Sequence, residues 1–304
     1  MFSHWADARI GVVRQESENA LSVRRNLAHA LDRRAGRAIL GILATQWARR
    51  TIPGALIEYR QGVWVHRLGG YVFADSLRFD YYAYTIERWP RKLENILSEA
   101  EDYWFFADRP VAGGVIVDVG AGKGEDCVAF SRAVGPNGKV LAVEAHPATF
   151  QCLRASIELN GLSNVVPIHC AVTEKPGPVL IETAEDWESS SVVSGVKGGE
   201  RVPGFPLDGL VRQHNLTRID LLKMNIEGAE ALAIEGMTQS FSIIRALCIS
   251  CHDFRANRGD GEFFRTKALV ERRLQAAGFR ILPRQDGRDY IADQVNAIRT
   301  ESTA

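Results

Sequence analysis

The stretch "VIVDVGAGKG", residues 115–124, decides how the rest of the chain is read. A short apolar run carries Asp118 near its end, and glycines then follow at positions 120, 122 and 124. Glycine lets the backbone turn sharply and come close to a ligand. "GEDCVAFSRAV" (124–134) comes next with the pattern of a helix, whose first N–H groups lack intrahelical partners and face the turn. A strand, a glycine turn and a helix in this order open a parallel α/β unit.

The same grammar repeats downstream. "KVLAVEA" (139–145) reads as a second strand and "PATFQCLRASIELNG" (147–161) as a helix closed by Gly161. "NVVPIHCAV" (164–172) reads as a third strand. After a polar insert, "AEDWESSSVVSGVKGGERVPG" (184–204), come a fourth strand, "IDLLKMN" (219–225), and a helix, "GAEALAIEGM" (228–237). "SIIRALCISCH" (242–252) is a fifth strand and "TKALVERRLQAAGF" (266–279) a helix. "RILPR" (280–284) and "DYIADQVNAIR" (289–299) close the chain as strands. Strands alternating with helices predict a doubly wound, Rossmann-like α/β sheet of seven strands. In such a sheet the ligand lies across the carboxyl ends of the strands.

Residues 1–110 have a different character and are expected to form an N-terminal extension, with the α/β domain at 111–304. The first fifty residues look helical and hold nine Arg and no Lys, read as a solvated helix face in preference to an anion-binding one. "ALIEYRQGVWVHRLGGYVF" (55–73) suggests two short strands in hairpin fashion, and "RKLENILSEAEDYWFF" (91–106) an amphipathic helix. This extension is the expected source of substrate choice and of homodimer contacts.

Lys+Arg and Asp+Glu are both 37, so charge gives no reason to expect nucleic acid. No apolar run approaches a membrane span, and the start of the chain lacks the apolar core of a signal peptide. Five cysteines, an odd number in mostly apolar surroundings, suit a reducing cytoplasm.

The strand ends supply the candidate site. The loop is not a P-loop, because Gly124 follows Lys123 where Ser or Thr is needed. The dinucleotide pattern would need glycine at Glu125, which disfavours a nicotinamide-dependent dehydrogenase. Glu144 ends the second strand twenty-two residues after Gly122, where an acid can accept hydrogen bonds from both ribose hydroxyls. Asp118 beside the loop is a poor neighbour for pyrophosphate and a good one for an ammonium group. Together they fit a cofactor with a ribose, an ammonium and no phosphate, such as S-adenosyl-L-methionine. A plain strand-to-helix turn without a ligand is the alternative. The expected cofactor-binding residues are Asp118, Gly120, Ala121, Gly122, Lys123, Gly124, Glu144 and Ala145, with Ala171 at the third strand end and Asn225 at the fourth.

"VDVGAGKG", "VEAHPATFQCLRASIELNGLSNV", "CAVTEKPG", "FPLDGL" and "IDLLKMNIEGAEALAIEGM" fall in the order and spacing of the FkbM family, which the chain resembles over about 111–283. The resemblance implies a class I S-adenosylmethionine-dependent methyltransferase sheet and O-methylation of a small-molecule hydroxyl on a sugar, polyketide or other natural product. Asn225 stands where that family usually has Asp, and "GAGKG" replaces the more usual Gly-Ala-Asn-x-Gly. Asn cannot take up a proton or carry charge. N-methylation, and cofactor binding without turnover, therefore stay open as alternatives.

Three residues qualify by position for catalysis. Asn225 can hold the acceptor or the cofactor's amino group. Glu227 can take a proton or bind a metal. His252 has an unperturbed pKa suited to a base near neutrality. Each has a plainer role as a cap or a satisfied loop residue. Asn225, Glu227, His252 and Asp253 hold enough oxygen and nitrogen for a divalent metal, but the same set suits a substrate, and no metal is assigned. Lys223, inside the fourth strand, is expected to pair with a carboxylate. Asp208 is expected to be an N-cap. Ser189, Ser190 and Ser191 sit in the polar insert, which is either a lid or a plain surface loop.

"CISCH" (248–252) matches a haem-attachment pattern in isolation. Its place at the end of a buried strand, with no second ligand pair elsewhere, argues instead for two core cysteines on opposite faces of the strand. His252 is what that motif contributes to the site.

Overall fold

The computed structural model describes residues 30–33, 35–68, 70–75, 91–181, 199–284 and 287–300. The chain forms two compact units, Met1–Leu93 and Glu94–Ala304. The boundary falls earlier than the expected break after residue 110. The reason is aromatic: Tyr103 bonds Ser250, Trp104 lies over Lys223 and Phe105 packs on Phe130, so this segment belongs to the α/β unit.

In the first unit, helix α1 (Arg37–Ala48) is followed by an antiparallel meander of β1 (Leu56–Arg60), β2 (Val63–Arg67) and β3 (Val72–Asp75). Two strands were expected and three are present. Gln61 and Gly62, both at positive φ, make the tight turn that gives β1 and β2 their register. Thr45 ties α1 to β1: its hydroxyl donates to the Ile57 carbonyl and accepts from the Ile57 amide. Arg37 pairs with Asp32 and lies over the Tyr59 ring. Most of the arginine-rich start lies outside the described residues.

Helix α2 (Lys92–Glu99) spans the division between the units and runs into a π-helical turn at Ala100–Trp104. The main sheet uses β4 (Val115–Val119), β5 (Lys139–Glu144), β6 (Val165–His169), β10 (Ile219–Met224), β11 (Ile244–Ser250), β12 (Phe279–Leu282) and β13 (Gln294–Arg299). Their spatial order is β12-β13-β11-β10-β4-β5-β6. The helices are α3 (Glu125–Val134), α4 (Pro147–Leu159), α5 (Leu207–Gln213), α6 (Glu230–Glu235), α7 (Asp253–Asn257), α8 (Lys267–Ala276) and α9 (Asp289–Ala292). Every residue of β10 is buried, as a central strand covered on both faces must be.

The expected seven-stranded α/β sheet is present, with three differences. β13 is antiparallel to both its neighbours, β11 and β12. A short connection suffices for antiparallel neighbours, whereas a parallel pair needs a full crossover. The first half of "DYIADQVNAIR" is the helical turn α9; strand alternation begins only at Gln294, with Val295 and Ala297 facing the core. The expected third strand breaks after His169, and its last residues leave the main sheet. They form β7 (Ala171–Val172), which joins β8 (Gly177–Ile181) and β9 (Glu200–Phe205) in the order β7-β9-β8. The last residues of the polar insert belong to β9, and Ser189–Ser191 within it lie outside the described residues. Among the described residues, no helix is long and apolar enough to cross a membrane.

The chain runs outward from β4 through β5 to β6, then returns to place β10 and β11 on the other side of β4. The switch point therefore lies between the carboxyl ends of β4 and β10. The amide of Asn225 donates to the Val119 carbonyl at 2.9 Å across this junction.

Candidate active site

The glycine turn after β4 is fixed by strand β5. The amides of Gly120 and Ala121 both donate to the Val143 carbonyl, at 2.9 and 3.0 Å. Gly120, Gly122 and Gly124 all have positive φ. A Cβ on Gly120 would sit 2.0 Å from the Asn225 carbonyl oxygen, so no other residue fits there. Glu144 ends β5, and its carboxylate accepts from the Gly122 amide at 2.9 Å and from the His146 amide at 2.7 Å. Burial pushes its pKa up to about 7 against those two hydrogen bonds. Each carboxylate oxygen keeps a lone pair for a ligand hydroxyl. Ala145 packs against an apolar cluster of Ala171, Ile181 and Val202, which lines the same end of the sheet.

Asp118 is not where the sequence placed it. Its side chain is fully buried beneath the loop, and its carboxylate pairs with the Lys223 ammonium at 2.8 Å. The pairing expected of Lys223 is thus found, and it removes Asp118 from direct contact with a ligand. The strand period explains the error: Asp118 and Lys223 are register partners on adjacent strands and share one face. The row continues through Cys248 on β11 and Asn296 on β13, each in register with its neighbour. Lys123 is buried as well.

At the end of β10, Asn225 presents an unpartnered buried oxygen: its Oδ1 has no hydrogen-bond partner among the described residues. The next turn carries Glu227 in the left-handed region at φ 50°, rare for a residue with a side chain. His252 follows β11 and is almost fully buried between two carboxylates. Its Nδ1 lies 2.9 Å from Glu230 Oε1, and its Nε2 lies 3.0 Å from Glu227 Oε1. Burial alone would lower the imidazole pKa, but the two carboxylates outweigh it and hold the group at about 10. His252 is therefore a cation at neutral pH, hydrogen-bonded to Glu230 through Nδ1 and ion-paired with Glu227 at Nε2. The general-base role expected from its ordinary pKa does not fit this geometry, because a base needs a free lone pair.

Glu227 also accepts from Arg255 at 3.0 Å. Burial raises its pKa, and the imidazolium and guanidinium more than reverse that, so the carboxylate stays ionised. Its side chain is 21% exposed, against 1% for His252 and 0% for Glu230. Glu227 is thus the member of the cluster that a ligand can reach. Glu230 accepts from the amides of Ile226 and Gly228 and from the Thr266 hydroxyl, which locks the turn from below. The metal set considered above is committed elsewhere: both His252 nitrogens face glutamates, and Asp253 accepts from the Thr266 and Lys267 amides. Among the described residues no group of three His, Cys, Asp or Glu side chains is arranged to hold a metal ion.

Asp208 does cap a helix, but not its own. Its carboxylate accepts from the Gln239 and Ser240 amides and the Ser240 hydroxyl, capping the 3-10 turn Ser240–Ile243 in a distant segment. Cys248 and Cys251 are free, buried thiols. Cys251 joins the core cluster with Leu247 and Ile249, whereas Cys248 accepts from Gln294 on the other face. Sequence reasoning missed Arg255 and Trp104, which lie far from their partners in the chain, and left Glu230 evenly between function and a helix start. The second glutamate of "EGAE" was the one local signal, and it read equally well as a helix-start acid.

Among known proteins, the Methyltransferase FkbM domain matches residues 118–281. No curated protein matches the sequence. An FkbM methyltransferase from Methylobacillus flagellatus KT is similar in structure, with 16% identity and a TM-score of 0.42 over 72% of this chain and 60% of that one. This chain thus matches less than two thirds of that protein. Aeropyrum pernix fibrillarin, with natively bound S-adenosyl-L-methionine, shares 14% identity at a TM-score of 0.39 over 80% of this chain and 99% of that one. A SAM-dependent methyltransferase from Aquifex aeolicus shares 16% identity at a TM-score of 0.38 over 68% and 87%.

Proposed function

This chain belongs to the FkbM methyltransferase family, and we propose that it transfers the methyl group of S-adenosyl-L-methionine to a hydroxyl of a small molecule: a sugar, polyketide or other natural product. The observation that carries the reading is the Glu144 carboxylate, fixed beside the glycine turn by the Gly122 and His146 amides. It offers acceptor positions suited to paired ribose hydroxyls. The orphan Oδ1 of Asn225 supports the same reading, since a buried oxygen without a donor is costly until a ligand supplies one. An ammonium or a hydroxyl is such a donor. The residues present therefore fit the cofactor, through Gly120–Gly124, Glu144, Ala145, Ala171 and Asn225, without Asp118.

S-adenosyl-L-methionine supplies an activated methyl group on a sulfonium. The chain's own tasks are to hold the acceptor in line and to receive its proton. Holding two reactants in line is worth about 7–11 kcal/mol. Glu227 is our candidate for the proton. A carboxylate kept ionised by two cations is a weak base towards an intact alcohol. It becomes an adequate one as the alcohol oxygen forms its new bond to carbon and turns strongly acidic. His252 and Arg255 orient that carboxylate, and Asn225 steadies the acceptor or the cofactor's amino group. Residues 1–110, outside the matched region, are our candidate source of substrate choice and homodimer contacts. The buried free thiols support a reducing, cytoplasmic setting.

Equilibrium binding of labelled S-adenosyl-L-methionine to the purified full chain tests the first half of this reading, and absence of binding ends it. Incubation with hydroxylated acceptors tests the second half. A methyl ether product is expected; an N-methyl product would move the chain to amine chemistry.

A further inference from the structure

A lysine buried in the middle of a sheet needs a reason. The Lys223 side chain is 2% exposed and its partner Asp118 is 0% exposed. Removing two such charges from water costs several kcal/mol per ion, and an apolar residue of similar volume often does as well or better for stability. Packing therefore does not account for the pair. What a lysine supplies here and a methionine cannot is a donor to the backbone above it. The ammonium donates to the Gly120 carbonyl at 2.7 Å. Asp126 stands 3.9 Å away, and the Trp104 ring covers the ammonium at 5.0 Å.

Gly120 has no slack on that side, since a Cβ there would meet the Asn225 carbonyl oxygen at 2.0 Å. The turn is consequently pinned from two strands. From β5, the Val143 carbonyl and the Glu144 carboxylate receive the amides of Gly120, Ala121 and Gly122. From β10, Lys223 holds the Gly120 carbonyl. The second pin joins the loop to the strand that carries Asn225 into the switch-point crevice.

We propose that Lys223 is a positioning residue for the cofactor loop: it holds Gly120 against β10 so that the turn and Glu144 keep the geometry that receives the cofactor, and Asp118 serves as its counter-ion. The proposal rests on the reading that this loop binds S-adenosyl-L-methionine.

The test is titration calorimetry of the full chain with S-adenosyl-L-methionine, alongside urea denaturation. The D118N/K223M chain removes both charges together, so neither is left unpaired. Its unfolding midpoint is expected at or above that of the parent, while its Kd for the cofactor rises about ten- to a hundredfold, the range for one lost hydrogen bond to a charged group. The D118N/K223Q chain keeps a neutral N–H donor and is expected to recover part of that loss. A folded D118N/K223M chain with the parent's Kd overturns the proposal. So does a D118N/K223Q chain that folds and binds no better than the methionine variant. A parent chain that fails to bind the cofactor overturns the functional reading itself, and this inference with it.

Discussion

Two cations lie buried at the carboxyl ends of the central strands, each near two carboxylates. Lys223 stands between Asp118 and Asp126 below the glycine turn, and His252 between Glu230 and Glu227 below the turn after β10. Lys223 bonds a backbone carbonyl as well as its counter-ion, so it fixes a loop directly. His252 donates to Glu230 and ion-pairs with a side chain, Glu227, whose backbone conformation carries strain. The lysine would be charged at any working pH. The imidazole is charged only because two glutamates face it. Residue type alone assigns the histidine to chemistry and the lysine to structure, and the surroundings revise both assignments.

The comparison breaks most sharply if one member of a pair is removed. Lys223→Met by itself leaves Asp118 buried without a partner and should cost about 3–5 kcal/mol in urea unfolding, a loss that D118N/K223M is expected to restore in full. If the single and double variants are equally stable, the pair carries no coupling.

The next effect falls on Glu227. Its side chain is partly exposed, so Glu227→Gln should fold, while kcat on the identified acceptor falls about a hundredfold. Unchanged kcat would remove Glu227 from the proton path.

The third effect separates the two cations by pH. His252 has a folded pKa of about 10 against an ordinary 6.5. Its contribution to stability is fully present below pH 6.5 and is lost as pH rises towards 10. Between pH 6.5 and 8 the His252 share of the loss should be about 1.5 kcal/mol, and His252→Gln should remove that share and leave the smaller slope of Glu144, which titrates at about 7. The thiols of Cys127, Cys170, Cys248 and Cys251, whose pKa values burial pushes above 9, do not titrate in this window. A variant with the parent's slope would show that another group titrates there.

The smallest effect concerns Glu144. Ribose hydroxyls donate to an ionised carboxylate, so cofactor binding should weaken as pH falls through about 7. Glu144→Gln should weaken binding about tenfold at pH 8 and abolish that pH dependence, as read by calorimetry. A pH dependence that survives the substitution would assign it elsewhere.

Much of this was legible in the chain. The alternation of strands and helices from residue 115 onward gave the sheet, because buried parallel strands are short apolar runs and their helices show the 3.6-residue period. The glycine turn and Glu144 were legible because both are local to one βαβ unit. The antiparallel β13 and the departure of β7 were not, since pairing partners come from distant sequence and leave no local mark. Asp118 was assigned by its place beside the loop, and what overrode that was a register partner on β10 more than a hundred residues away.

The sequence by itself determined the class of sheet, the position of the ligand turn and the acid at the second strand end, because periodicity and glycine placement act within a few residues. Only the tertiary structure decided what the charged residues do. Asp118, Lys223, Glu227, Glu230 and His252 take their roles from groups brought near by strand order. The proton affinity of a buried side chain is set by its neighbours in space and by the water it has lost.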